Sequence, residues 1–104
     1  MAIEPRRTPE RRVEERVPFT DHLRVLKPSV VHGTGADISA KGICILVPQT
    51  MAEGTAVELE LFGGTSFVKG TVKKAAPGIR GFRIGIEFQT EQPAILAKAK
   101  AARR

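Results

Sequence analysis

Apolar residues recur along this chain at a spacing of two far more often than at three or four. Val57-Glu58-Leu59-Glu60-Leu61 alternates strictly. Phe82-Arg83-Ile84-Gly85-Ile86-Glu87-Phe88 does the same, with large apolar side chains at every second position. That period marks a strand with one face buried. Residues 21–31 read as a first strand through Leu23, Val25, Val30 and Val31, with Pro28 assigning it to an edge or a bulge. His32-Gly33-Thr34-Gly35 is a turn signal, and residues 36–39 form a short second strand. Ile43-Cys44-Ile45-Leu46-Val47 is continuously apolar. It predicts a buried third strand over residues 42–48, with Cys44 as inert packing. Residues 50–54 connect, and 62–65 form a hairpin-type turn. Residues 66–76 make a further strand with Gly70 as a bend, and Pro77-Gly78 is a turn. Phe62, Phe67, Phe82 and Phe88 are expected in the core.

Strands at this spacing, with Gly/Pro turns and no helical period, indicate a sandwich or a small antiparallel barrel. The two ends differ. Residues 1–18 hold Pro5, Pro9 and Pro18 and few apolar side chains. Little there can be buried to offset the entropy of ordering it, so a mobile tail is expected. After Thr90, Pro93 suits a first helical turn, Ile95, Leu96 and Ala99 form a thin apolar stripe, and Lys98 and Lys100 suit a helix C-terminus. The expected organisation is a tail over 1–18, a barrel over 19–90 and a short helix and tail over 91–104.

The chain has 104 residues, the size of one domain. No apolar run approaches a membrane span, the N-terminus lacks a signal-peptide core, and Cys44 is the single cysteine. A cytoplasmic protein is expected. The net charge is +6. Residues 1–20 carry five Arg against four Glu, and residues 89–104 four cations against one Glu. Basic ends suggest an anionic partner without naming it. His22 and His32 are isolated from other ligating residues, so no metal site is expected. No nucleophile–base pair, paired carboxylates or phosphate-cradling glycine loop is evident, and catalysis is not expected.

One stretch stands out: Asp37-Ile38-Ser39-Ala40-Lys41-Gly42. On an extended backbone Asp37 and Ser39 face the same way, and Gly42 permits a sharp turn or a close approach. Upstream, Arg12-Val13-Glu14-Glu15-Arg16 sets two arginines four apart, followed by Val17-Pro18. RxxxR, then DxSxxG, then the late strand Gly85-Ile86-Glu87-Phe88, in that order, resemble the PilZ domain family. The resemblance spans roughly residues 11–90. It implies a six-stranded antiparallel barrel with a C-terminal helix, binding the bacterial second messenger cyclic di-GMP. It assigns Arg12 and Arg16 as the motif arginines and Asp37, Ser39 and Gly42 as the strand side of the site. Arg11 is then an additional phosphate or base contact. No other cofactor is implied.

The residue types suit that ligand. An arginine fork holds phosphate oxygens, or O6 and N7 of guanine, through paired hydrogen bonds. A carboxylate accepts from guanine N1 and N2, and a hydroxyl serves a base or phosphate edge. The expected mechanism is a loose tail whose arginines close over a nucleotide resting on the barrel, presenting a new surface to a downstream partner protein. A chain of this length is expected to pass its signal to another molecule, in pathways such as motility or biofilm control. Two other readings remain open at this point: a basic barrel that binds nucleic acid, and an interaction module of the same fold without ligand. Against the first, Phe falls on core-type positions and the middle of the chain is near neutral. In isolation, Asp37 and Ser39 also suit plain turn residues bonding their own backbone, and Lys69, Lys73 and Lys74 suit edge protection.

Overall fold

The computed structural model describes residues 15–102. The alternating segments form seven strands: β1 (Arg16–Pro18), β2 (His22–Lys27), β3 (Val31–Ser39), β4 (Gly42–Val47), β5 (Ala56–Leu61), β6 (Ser66–Gly78) and β7 (Gly81–Phe88). One 3-10 turn (Phe62–Gly64) joins β5 to β6, and helix α1 (Pro93–Ala102) ends the fold. The strand order is β1-β3-β2-β5-β6-β7-β4, and a β3–β4 pairing closes the ring. Strands β2 to β7 are therefore a closed six-stranded antiparallel barrel, with β1 an extra strand beside the end of β3. Closure leaves few unpaired backbone edges. This is the barrel and C-terminal helix expected from the sequence.

Period two decides what enters the core. Val25, Ile43, Ile45, Leu59, Val72 and Ile84 are fully buried, each flanked along its strand by residues turned outward or toward the turns. The same rule corrects two expectations. The run Ile43–Val47 is not buried throughout: Cys44 is half-buried and Leu46 exposed, because only every second residue of β4 faces inward. Phe67 is 63% exposed rather than core, since Val68 and Val72 hold the inward positions of β6.

Two boundaries also differ. The expected first strand, residues 21–31, is broken after Lys27, where a cis peptide to Pro28 opens the bend into β3. The expected turn His32–Gly35 is instead part of β3. Its glycines answer to crowding: a Cβ on Gly35 would overlap Phe19, and one on Gly33 would press on Leu46 and Val47. The expected Pro77-Gly78 turn falls at Ile79-Arg80, because β6 and β7 stay paired out to Gly78 and Gly81.

Helix α1 packs on the barrel. Ile95 and Ala99, one turn apart, are buried, and the helix lies against β3 and β1. Lys98 sits 4.7 Å from the Phe62 ring centroid and donates to Thr65 Oγ1 at 2.8 Å. Phe62 in turn meets Phe19 edge-on, with centroids 5.3 Å apart. Across the barrel wall Arg24 and Glu60 form a hydrogen-bonded ion pair. Lys69 and Lys73 lie near Glu58 and Glu87, at 3.8 and 3.4 Å. Those two lysines belong to cross-strand charge pairs, rather than to the expected edge protection.

Replacing Ile45 by Ala is expected to lower the unfolding free energy by about 2–5 kcal/mol, because the closed barrel cannot collapse around the lost methyls. Urea denaturation followed by circular dichroism measures this. A second expectation concerns acid. The hydrogen bond from Arg24 holds the Glu60 carboxyl below its ordinary value of 4.5. The stabilisation is thus present above that value and is lost as pH falls through the lower folded value. Melting curves from pH 6 to pH 3 should show a smaller acid-induced loss for Glu60→Gln than for the parent.

Candidate functional site

Strand β1 is only three residues long, and its pairing sets the site. Arg16 lies opposite Ser39, Val17 opposite Ile38, and Pro18 opposite Asp37. Val17 and Ile38 turn inward and are buried. By parity Arg16, Asp37 and Ser39 share the other face. A long side chain reaches both its direct and its diagonal cross-strand neighbour, and Arg16 does so. Its Nε donates to Asp37 Oδ1 at 2.9 Å, and its Nη1 lies 3.4 Å from Ser39 Oγ. Arg16 and Asp37 remain accessible, with side chains 41% and 34% exposed.

Ser39 differs from its partners, being completely buried. Its Oγ accepts from the backbone N–H of Lys41 and of Gly42, both at 3.1 Å, and lies 3.4 Å from the Gly42 carbonyl. The hydroxyl thereby ties the β3–β4 turn. Gly42 answers to a similar demand: a Cβ there would overlap the carbonyl oxygen of Ile86 on β7. The close approach it permits is that of a neighbouring strand. The serine and glycine of the motif therefore build the corner that presents Asp37.

Of the residues singled out in the sequence, the structure brings together Arg16, Asp37, Ser39 and Gly42. Arg11 and Arg12 lie outside the described residues, as does most of the expected tail over 1–18. Its last three residues, 16–18, are in strand β1, because Val17 finds a buried place beside Ile38.

Sequence reasoning missed the surroundings of the pair. Cys44 stands opposite Asp37 and Gly85 opposite Cys44, with Lys74 next across the sheet. Burial pushes the Cys44 thiol up from its ordinary 9.0, with the nearby Arg83 opposing. The thiol is thus protonated near neutrality and a poor nucleophile. Strict alternation along β4, applied inside the apolar run, would have turned Cys44 outward. Glu15, next to Arg16, pairs with Lys100 of α1 at 3.0 Å, a contact 85 residues apart in sequence that no local pattern announces. Among the described residues no group of His, Cys, Asp and Glu is gathered to hold a metal ion, and no helix is long and apolar enough to cross a membrane.

The family model for the PilZ domain matches residues 6–101. No curated protein matches the chain at a significant level.

Ser39 and Asp37 should separate in a stability assay. Ser39→Ala orphans two backbone N–H groups and is expected to cost about 1–3 kcal/mol. Asp37→Ala removes half of an exposed ion pair, worth about 0–1 kcal/mol. Thermal melts of the two variants beside the parent decide it, and equal losses would contradict the different roles given to the two side chains.

Proposed function

The chain belongs to the PilZ domain family, a family of cyclic di-GMP receptors, and on that premise we propose that it binds cyclic di-GMP where Arg16 meets Asp37. The observation that carries this reading is the convergence of Arg16 and Asp37, from two motifs far apart in sequence, on one accessible patch, with the buried Ser39 hydroxyl 3.4 Å from the same guanidinium. The chemistry is complementary. The Arg16 guanidinium offers a planar donor fork to a phosphate, or to guanine O6 and N7. The Asp37 carboxylate accepts from guanine N1 and N2, which adenine does not provide as donors. Asp37 also holds Arg16 in place before a ligand arrives, which reduces the entropy lost on binding.

In this reading Arg11 and Arg12 close over the ligand from the other side, and Ser39 and Gly42 act through the corner they build. Recognition involves no covalent step, so the protein acts as a receptor rather than an enzyme. The relay to a downstream protein starts in β1: Arg16 would grip the nucleotide while its neighbour Glu15 contacts helix α1. Ligand binding would thus be felt at the C-terminal helix as well as at the N-terminal arm.

Isothermal titration with cyclic di-GMP tests the proposal. The parent protein should bind, and Arg16→Ala and Asp37→Ala should each weaken binding by about 10- to 100-fold, the equivalent of losing one charge-assisted hydrogen bond at roughly 1.5–3 kcal/mol. The unlabelled linear dinucleotide and a cyclic di-adenine analogue serve as controls, and the adenine analogue should bind far more weakly. No heat from folded protein at tens of micromolar ligand would refute the reading.

A further inference from the structure

The β6–β7 hairpin ends in the two-residue turn Ile79-Arg80, between the paired Gly78 and Gly81. Turns of this length usually carry Asn, Asp or Gly, which adopt positive φ at little cost. Here Gly81 takes the unusual conformation, at φ +146°, while neither turn residue has positive φ. Nothing in the backbone asks for an isoleucine at position 79, and its side chain is wholly exposed.

Beside it lies a groove of about 750 Å³ between the hairpin tip, the end of β4 and the start of β3. Leu46, Pro48 and Phe82 give it apolar walls, Arg80 and Arg83 give it charge, and no carboxylate lines it. The contrast with the rest of the barrel is sharp. Arg24, Lys69 and Lys73 each face a glutamate across the sheet. Arg80 and Arg83 have no carboxylate partner among the described residues. An exposed apolar strip between two uncompensated arginines is complementary to a segment that interleaves acidic and apolar side chains.

We infer that this groove is a docking site for an acidic, apolar-anchored segment of a partner protein. Ile79, Leu46 and Phe82 take the apolar anchors, and Arg80 and Arg83 take the carboxylates. The groove shares a face with the Arg16–Asp37 patch: Thr34, Leu46 and Arg83 form one cross-strand row, and Asp37, Cys44 and Gly85 the next. A partner seated here therefore lies beside the nucleotide patch. The inference rests on the hairpin's own chemistry and stands whether or not a nucleotide binds.

Fluorescence anisotropy with a labelled Glu-Leu repeat peptide tests it, with a Lys-Leu repeat as control, on the full chain. The acidic peptide is expected to bind and the basic one to fail. Ile79→Asp and Arg80→Glu should each weaken the acidic peptide by about tenfold or more. Both positions are in an exposed turn, and melting curves check that the variants fold. Titration of Ile79→Asp with cyclic di-GMP should match the parent. Undiminished peptide binding in both variants overturns the proposal, as does equal binding of the basic peptide. So does loss of cyclic di-GMP binding in Ile79→Asp, which would assign the groove to the nucleotide. A concentration-dependent dimer in sedimentation that Ile79→Asp abolishes would give the groove to a second copy, and equally overturns it.

Discussion

Three short backbone pairings beside the end of β3 govern this protein. Strand β3 is nine residues long, and it meets β2 at its start, β4 along its middle and β1 at its end. The β3–β4 pairing closes the barrel. The β1–β3 pairing brings an arginine from an otherwise unrelated stretch within hydrogen-bonding distance of a carboxylate. Without it the acid of β3 would face solvent unaccompanied. Burial of Val17 beside Ile38 holds β1 in register, and a slip of one residue would turn Arg16 inward and Val17 out. An apolar contact thus fixes the placement of a polar site.

Buried and accessible roles are divided among the motif residues. Ser39 is buried and ties a turn through two backbone N–H groups, and Gly42 makes room for β7. Both support the accessible pair, Arg16 and Asp37. Rigid supports of this kind reduce the disorder that a ligand would have to remove. It also links the site to the ends of the fold. Glu15 reaches Lys100 on the helix, and Lys98, two residues earlier and so on another face, reaches Phe62 and Thr65. The helix is therefore in contact with β1 on one side and with the β5–β6 connection on the other.

Much of this was legible in the sequence, because the signals are local. The alternations at Val57–Leu61 and in β7 specify strands, inward faces and core residues together, and Pro93 marks the helix start. Asp37 and Ser39 were expected on one face from their spacing alone. What was not legible depends on neighbours. Gly33 and Gly35 signal a turn in sequence, yet they accommodate β4 and Phe19 within a strand. Cys44 and Leu46 sit in an apolar run, yet face outward, because β4 has one face on the core. Phe67 is aromatic and exposed. By its sequence Arg16 belongs to a loose tail, and only the register with β3 makes it a strand residue.

The proposal is one of place, a cyclic guanine dinucleotide seated where β1 pairs with the end of β3. A two-dimensional 1H–15N spectrum, recorded during titration with cyclic di-GMP, tests this residue by residue. The largest shifts should fall on the amides of Arg16, Val17, Asp37 and Ser39 and of the corner at Lys41 and Gly42. Shifts confined to the far wall around His22, Arg24 and Glu60, or none at saturating ligand, would contradict it.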